Sequence, residues 1–298
     1  MSQRKGSGGG GGKGRRKPPP TRRSGTPGRP PKKEARGRTG AIDGRHKKPS
    51  REGLGGDQIE GIHAVREALL AGRRKVYEIL LSTDRADAPD LEDIRVLAEQ
   101  YSVSVRELGR AKLGSEARTT AHQGVVARAA ALRETDIEEL YRPVGDTPPF
   151  LLACDGITDP GNLGALLRTA ACAGVTGVLL PRHRAVHVTP AVTKAAAGAV
   201  EHLRFAIVGG LPTALADATE RGALVVGLDM GGDVSLHDLP PVDRSVVVVL
   251  GSEGRGLGRL ARERCGVVAS IPMTGVVESL NVSVAGALAL YEVVRRRA

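Results

Sequence analysis

Ile271-Pro-Met-Thr-Gly-Val-Val-Glu-Ser-Leu-Asn-Val-Ser-Val-Ala-Gly-Ala-Leu-Ala-Leu290 decides the fold of this chain, because it joins a polar loop to an apolar helix. Four polar residues, Glu278, Ser279, Asn281 and Ser283, precede or begin that helix. Burying them in a core would be unfavourable unless each found a partner. Open α/β sheets bind ligands in loops at the carboxyl ends of their strands. The stretch therefore indicates a binding site, although a helix cap formed by Ser279 or Asn281 would explain one of the four.

From residue 150 onward, short apolar segments alternate with helical segments. The apolar segments have the composition of strands buried on both faces of a parallel sheet, and they span Phe150 to Cys154, Gly177 to Leu180, Leu203 to Val208, Ala223 to Leu228, Val246 to Leu250 and Val267 to Ile271. The helical segments span Leu163 to Ala173, Pro190 to Glu201, Pro212 to Arg221, Leu257 to Arg264 and Leu280 to Arg297. This alternation predicts an α/β fold with a doubly wound parallel sheet of five or six strands.

A smaller α/β pattern precedes that sheet. Its periodicity predicts helices from Ile59 to Leu70 and Asp90 to Glu99, and strands from Val76 to Leu81, Val103 to Arg106 and near His122. Residues 133–149 read as a short helix and a proline-containing linker. We therefore predict a small domain at residues 55–132, a linker at 133–149 and a larger domain at 150–298.

The amino-terminal segment differs from the rest in composition. Residues 1–50 contain sixteen Lys or Arg side chains, two acidic side chains and twelve glycines. Too little apolar surface is present to offset the entropy of ordering the chain, so we predict a disordered basic tail at residues 1–54. The remaining residues carry 28 basic and 31 acidic side chains, so the net charge of +11 comes from this tail. It is typical of a polyanion-binding arm, and a solubilising leader is an equal alternative.

Several classes of protein are disfavoured by the composition. Cys154, Cys172 and Cys265 are widely spaced and form no C-x-x-C pair, which favours a reduced, cytoplasmic setting and neither disulfides nor a zinc site. His183 and His187 have no evident third ligand, so no metal site is predicted. No apolar run has transmembrane length. With no Trp and only two Phe, base stacking on an aromatic platform is not expected.

Two further strand ends carry unusual residues. In Asp159-Pro-Gly-Asn-Leu-Gly-Ala-Leu-Leu-Arg168, Asn162 suits the N-cap of the next helix, and Arg168 either extends to solvent or binds an anion. In Leu250-Gly-Ser-Glu-Gly-Arg-Gly-Leu257, the glycines permit close approach of a ligand to the backbone. That spacing matches neither the dinucleotide nor the triphosphate glycine motif. It also fits a simple tight turn with a solvated Glu253.

Together these three segments resemble the three motifs of the SpoU/TrmH family of RNA ribose 2′-O-methyltransferases, over residues 150–298. The segment Ile59-Glu-Gly-Ile-His-Ala-Val-Arg-Glu-Ala-Leu69 resembles the start of the L30e-like substrate domain in members that methylate a guanosine ribose of 23S rRNA. The resemblance implies a parallel sheet whose carboxyl-terminal part forms a trefoil knot. The general rarity of knots would have argued against that topology.

The resemblance also implies S-adenosylmethionine as cofactor, with Gly251, Ile271 and Leu280 in contact with it and Met273 and Asn281 as weaker candidates. It implies catalytic roles for Arg168, Asn162, Glu253, Ser279 and Asn281. A guanidinium is almost always protonated, so we expect Arg168 to bind a phosphate and stabilise developing alkoxide charge. Asn162, Glu253, Ser279 and Asn281 would orient the loops and the hydroxyl.

The expected partners are RNA, most specifically 23S rRNA, and a second copy of the chain in a homodimer with sites completed across the interface. No membrane partner is expected. Two alternatives stay open from the sequence alone. One is a family member that modifies tRNA or another rRNA ribose, including one that confers antibiotic resistance. The other is a ribosome-associated RNA-binding protein that has lost catalysis, against which the intact Asn162, Arg168, Glu253 and Asn281 argue.

Overall fold

The structure is a computed structural model, and it describes residues 54–85, 87–183, 185–277 and 279–297. The predicted tail therefore lies almost entirely outside the described residues, as does Glu278. Among the helices in the described ranges, none is long and apolar enough to cross a membrane.

The smaller α/β unit contains, within the described residues, a four-stranded sheet in the order β1-β4-β2-β3. Its strands are β1 (Gln58–Glu60), β2 (Val76–Ser82), β3 (Ser104–Leu108) and β4 (Val125–Ala129). Its helices are α1 (Ile62–Ala71), α2 (Pro89–Gln100) and α3 (Arg110–Glu116). Strands β2 and β3 are parallel, whereas β4 runs antiparallel to both of its neighbours. The predicted elements are present, and α3 is an addition.

The start of the first predicted helix is wrong by three residues. Ile59 belongs to β1, where it is fully buried and pairs with Ala127 of β4. Its apolar side chain matched the helical periodicity of the residues that follow. Pairing with a strand nearly seventy residues later is a tertiary effect that local periodicity does not contain.

The larger unit is built on a sheet of seven strands within the described residues, in the order β7-β6-β5-β10-β8-β11-β9. The strands are β5 (Phe150–Cys154), β6 (Gly177–Pro181), β7 (Phe205–Val208), β8 (Leu224–Leu228), β9 (Val234–Ser235), β10 (Val246–Leu250) and β11 (Val267–Ser270). Every neighbouring pair is parallel. The parallel α/β sheet is confirmed, and the expected five or six strands become seven because the two-residue β9 is too short to produce a pattern.

The described helices of this part are α4 (Ile137–Leu140), α5 (Pro160–Cys172), α6 (Pro190–Ala195), α7 (Leu211–Glu220), α8 (Arg259–Arg262) and α9 (Val282–Arg297). Two predicted helices are shorter than expected. The segment from Leu257 to Arg264 is helical only in α8, and the segment from Pro190 to Glu201 splits after α6. Gly198 has φ +83°, and a Cβ there would lie 2.6 Å from Cβ of Glu67. The chain therefore turns where α1 approaches it, and a short 3₁₀ segment (Ala199–His202) follows.

Strand β10 is the centre of the larger sheet, and its five residues are at most 1% exposed. Helix α9 packs directly above it, because a Cβ at Gly286 would lie 2.5 Å from Leu166 of α5 and 2.6 Å from Leu250 of β10. This close approach fixes where α9 begins. The first residues of α9 and the loop before it are thereby held at the carboxyl edge of the sheet.

A buried ion pair joins the smaller unit to the larger one. The Arg74 guanidinium contacts the Glu201 carboxylate twice, with Nη2–Oε1 at 2.5 Å and Nε–Oε2 at 3.1 Å. The two side chains are 1% and 0% exposed. Arg74 also donates to the carbonyl oxygens of Gly55 and Gly56. A protein loses less stability when both members of such a buried ion pair are replaced by apolar residues than when only one member is removed.

Removing only the cation of this pair should destabilise the protein strongly. We expect Arg74→Met to lower the free energy of unfolding by about 3–5 kcal/mol, because Glu201 would remain buried without its partner. Urea denaturation measures the change. Arg259→Met is the matched control, since Arg259 forms an exposed pair with Glu263 at 2.6 Å that should contribute at most about 1 kcal/mol. Equal losses in the two variants would contradict the assignment.

Candidate active site

A pocket opens at the carboxyl ends of β8, β10 and β11. Its volume is about 590 Å³, which lies within the range of about 300–1,000 Å³ typical of small-molecule sites. Loops after each of the three strands line it. The lining residues include Leu228, Asp229 and Met230 after β8, Gly251 to Gly254 and Gly256 after β10, and Ser270 to Met273, Gly275, Ser279 and Leu280 after β11. The expected location of a ligand at the strand ends is therefore matched by a cavity.

Backbone atoms form one wall of the pocket. Ser252 and Gly256 donate a hydrogen bond to each other's carbonyl oxygen, both at 3.0 Å, and so close a tight turn. A Cβ at Gly251 would lie 2.1 Å from the carbonyl carbon of Gly256. Gly256 itself has φ +65°, a backbone conformation that residues with a Cβ rarely adopt. Larger residues at these two positions would prevent this wall from forming.

Apolar side chains form another part of the lining. Ile271, Met273 and Leu280 line the pocket, and Met273 and Leu280 are 41% and 37% exposed. Four of the five residues that the resemblance implies as cofactor contacts or candidates, these three and Gly251, thus line a single cavity, and Asn281 is not among its lining residues. Such a cavity offers a small-molecule ligand both backbone polar groups and apolar surface.

A ring of hydrogen bonds links one residue from each motif. Asn162 donates through Nδ2 to Glu253 Oε2 at 3.1 Å, and Asn281 donates through Nδ2 to Asn162 Oδ1 at 2.8 Å. Asn281 also donates to Glu253 Oε1 at 3.4 Å. One carboxylate thus accepts hydrogen bonds from both side-chain amides. The structure brings these three predicted residues together at the rim of the pocket, which Glu253 also lines.

The helix caps beside this ring differ in part from expectation. Asp159 is the N-cap of α5, where its Oδ1 accepts from the backbone N–H of Asn162 at 2.7 Å. The prediction of Asn162 as the cap is therefore wrong, because α5 begins at Pro160, before that residue. The Asn162 side chain is left free for the ring. Asn281 Oδ1 accepts from the backbone N–H of Ser283 at 2.9 Å, so Asn281 caps α9 while it joins the ring.

Arg168 and Ser279 lie outside this ring. Ser279 lines the pocket. Arg168 is exposed on α5, and within the described residues no hydrogen bond or ion pair includes it. It follows Asn162 by six residues, which places it about 9 Å further along the helix axis. The structure therefore leaves the Arg168 guanidinium accessible to a ligand that approaches from solvent.

Two aspartates at the site were missed by the motif analysis. Asp155 directly follows β5 and Asp229 directly follows β8. Asp229 lines the pocket, and both carboxylates accept hydrogen bonds from the glycine-rich loop after β10. Their position at the first residue beyond two predicted strands was the available signal. The residues that they bind could not be inferred from local sequence.

Two of the three cysteines are at least partly buried. Burial raises the pKa of Cys154 to about 12 and that of Cys265 to about 11, so neither thiol is ionised near neutral pH. Over the described ranges, no group of three or more His, Cys, Asp and Glu side chains could hold a metal ion. His187 lies on an exposed loop, with Nε2 3.2 Å from the Arg182 carbonyl oxygen.

Two family models match the chain and together cover most of the described residues. The SpoU rRNA methylase family matches residues 149–291. The model for RNA 2′-O ribose methyltransferase substrate binding matches residues 58–135.

Individual proteins agree with these models. The 23S rRNA (guanosine-2′-O-)-methyltransferase RlmB of Shewanella oneidensis is 40% identical over 81% of this chain and 98% of its own length. A putative TrmH family tRNA/rRNA methyltransferase, YacO of Bacillus subtilis, is 37% identical over 81% of this chain and 96% of its own. A solved structure of a putative TrmH family RNA methyltransferase from Porphyromonas gingivalis superposes with a TM-score of 0.65 and 28% identity, covering 80% of this chain and 89% of that one.

The fold and these matches define the class of the protein as an RNA methyltransferase. The chain belongs to the SpoU family of RNA ribose 2′-O-methyltransferases.

The ring at the pocket rim depends on a carboxylate that accepts twice, and this can be tested. Glu253→Gln keeps the shape of the side chain but replaces one acceptor oxygen with a donor, so the two amides can no longer both be satisfied. We expect a loss of about 10- to 100-fold in kcat for methyl transfer, because the loops lose their fixed geometry. Glu220→Gln is the control, since Glu220 is exposed at the end of α7. Wild-type turnover by the Glu253 variant would show that methyl transfer does not depend on the ring.

Proposed function

We propose that the protein transfers a methyl group from S-adenosylmethionine to the ribose 2′-hydroxyl of a guanosine in 23S rRNA. The observation that carries this proposal is the pocket formed by the loops after β8, β10 and β11, with the ring of Asn162, Glu253 and Asn281 beside it. Support for the substrate comes from the RlmB relatives, which align with nearly their full length, including the smaller unit.

The residues of the pocket fit the proposed cofactor. Gly251 and its neighbours would receive the adenosine on backbone atoms, and Ile271, Met273 and Leu280 would cover it with apolar surface. This arrangement needs no aromatic residue, in keeping with a chain that has no Trp and two Phe. When bound, S-adenosylmethionine supplies an electrophilic methyl group on a sulfonium centre.

The polar residues would act on the RNA hydroxyl. The 2′-hydroxyl oxygen would bond to the methyl carbon as the carbon–sulfur bond breaks, which would release S-adenosylhomocysteine, and the hydroxyl proton would pass to water. Arg168 would bind the adjacent phosphate and stabilise the developing alkoxide with its positive charge. Asn162, Glu253, Ser279 and Asn281 would hold the surrounding loops and orient the hydroxyl for in-line attack.

RNA capture would fall to the rest of the chain. We propose the division into a tail at residues 1–54, an L30e-like substrate domain at 55–132, a linker at 133–149 and a catalytic domain at 150–298. The match of the substrate-binding model to residues 58–135 supports the second of these. The composition of the tail supports a salt-sensitive contribution to RNA affinity. We also assign the reaction to the cytoplasm, in keeping with three free cysteines.

We also propose that the carboxyl-terminal part of the larger unit forms a trefoil knot and that two copies of the chain form a homodimer. In favour of the knot, β11 lies beyond β8 in the sheet, yet α9 returns to pack on α5 and β10. In favour of the dimer, α9 exposes an apolar stripe of Val284, Leu288 and Tyr291, and the spacing places these residues on one helix face. Sedimentation should give twice the monomer mass of 31.1 kDa, and a monomer would count against this part.

Arg168 should be required for turnover but not for cofactor binding. We expect Arg168→Ala to abolish methyl transfer while S-adenosylmethionine affinity, measured by calorimetry, stays within about twofold, because the side chain lies outside the pocket lining. Arg264→Ala is the control, since Arg264 is an exposed arginine at the end of the β10–β11 connection. Near-normal turnover in the Arg168 variant would exclude this residue from the mechanism.

The substrate is tested by mapping 2′-O-methylation across total RNA from cells with and without the gene. We expect one guanosine of 23S rRNA to lose its methyl group in the deletion and to regain it when the wild-type gene is restored. The Glu253→Gln gene should restore it poorly. Loss of a tRNA or 16S rRNA methyl group instead would overturn the choice of RNA, and an unchanged map would overturn the activity.

A further inference from the structure

The glycine-rich loop after β10 is flanked on both sides by a carboxylate. Strand β10 lies between β5 and β8, and Leu250 is in register with Cys154 of β5 and with Leu228 of β8. The residue that directly follows each flanking strand is an aspartate: Asp155 follows β5 and Asp229 follows β8. The two aspartates therefore stand on either side of the point where the loop begins.

Each aspartate binds the far end of the loop. Asp229 Oδ2 accepts from the backbone N–H of Leu257 at 3.1 Å. Asp155 Oδ2 accepts from the backbone N–H of Gly258 at 2.7 Å. Two consecutive peptide groups are thus held from opposite sides by side chains of opposite neighbouring strands. Hydrogen bonds to ionised acceptors are stronger than those between neutral groups.

Two glycines of the loop have no room for a side chain because of these carboxylates. A Cβ at Gly256 would lie 2.5 Å from Asp229 Oδ2, and a Cβ at Gly258 would lie 2.9 Å from Asp155 Oδ2. The sequence thus has a glycine at both of the loop positions where a Cβ would meet one of these carboxylates. This agreement between residue type and contact indicates that the loop and the aspartates form one unit.

Asp229 is itself held by a second set of contacts. Arg262 of α8 forms an ion pair with Asp229, with Nη1–Oδ1 at 3.1 Å, and donates through Nη2 to the Gly231 carbonyl oxygen at 2.7 Å. Asp229 Oδ1 also accepts from the backbone N–H of Gly231 at 3.0 Å. The same carboxylate therefore joins the loop after β8 to the loop after β10, and both loops line the pocket.

We propose that Asp155 and Asp229 are positioning residues that clamp the loop from Gly251 to Gly258 in the shape that binds the cofactor. This inference rests on the proposed function, since it takes the pocket to be the S-adenosylmethionine site. A loop with four glycines loses much conformational entropy when it becomes ordered. Because the two aspartates already hold the loop in one conformation, cofactor binding does not carry this entropy cost. Removing either aspartate should therefore weaken cofactor binding and leave RNA binding unchanged.

The test uses the full chain with Asp155→Ala, Asp229→Ala and Asp229→Asn, and measures S-adenosylmethionine affinity by calorimetry with KM for each substrate. Each alanine variant should weaken cofactor affinity by about 10- to 100-fold and raise KM for S-adenosylmethionine by a similar factor. KM for RNA should change by less than about twofold. Asp229→Asn keeps a neutral acceptor and should recover a large part of the loss. Asp243→Ala, an exposed aspartate before β10, should behave as wild type.

Lowered thermal stability with wild-type cofactor affinity would overturn the clamp, because it would show a purely structural role. If an aspartate variant does not fold, Gly258→Ala carries the test, since the added methyl displaces Asp155 without removing a hydrogen-bonding group. Wild-type affinity in that variant would likewise overturn the proposal. A wild-type protein that binds no S-adenosylmethionine would overturn the proposed function and the clamp together, whereas normal wild-type binding with unaffected variants overturns the clamp alone.

Discussion

The hydrogen-bonded ring of Asn162, Glu253 and Asn281 is the constraint on which the site depends. Its members are separated by 91 and 28 residues along the chain, so they can meet only if three loops end at one place. Closing such long loops carries an entropy cost that the folded sheet must already have met. The ring is therefore a product of the fold, and the segments after β10 and β11 that supply Glu253 and Asn281 to it also line the pocket beside it.

The sheet meets this requirement through strand direction and packing. All neighbouring strands of the larger sheet are parallel, so the loops after β5, β8, β10 and β11 emerge at one edge. The close contact of Gly286 with Leu166 and Leu250 then sets the start of α9 above β10. Asn281, immediately before α9, can serve both as its cap and as a member of the ring. One side chain thus connects the packing of the core to the polar chemistry at the rim.

Much of this arrangement was accessible from sequence. The valine- and leucine-rich runs of β5, β8 and β10 are buried on both faces, and burial of that kind leaves a continuous apolar signal. The nomination of Gly251, Ile271, Met273 and Leu280 came from resemblance to the family motifs, and these residues do surround one cavity. Their roles toward a cofactor stay a prediction, as do those of Arg168 and Ser279.

What the sequence did not contain is set by contacts between distant residues. The partnership of Arg74 with Glu201, the pairing of Ile59 with Ala127 and the capture of Leu257 and Gly258 by two aspartates all cross large chain separations. Asn162 looked like a helix cap because its residue type suits one, yet Asp159 takes that position and frees it for the ring. Local preference was overruled in each case by a neighbour that only the fold supplies.

The central claim is that the loops after β8, β10 and β11 form one cofactor pocket. A crystal structure of the full chain with S-adenosylhomocysteine tests it most directly. We predict that the adenosine lies between Gly251 and Leu280, with the sulfur directed toward the rim of the pocket where Glu253 joins the ring. Binding at another edge of the sheet, or a bound ligand with these loops apart, would contradict it.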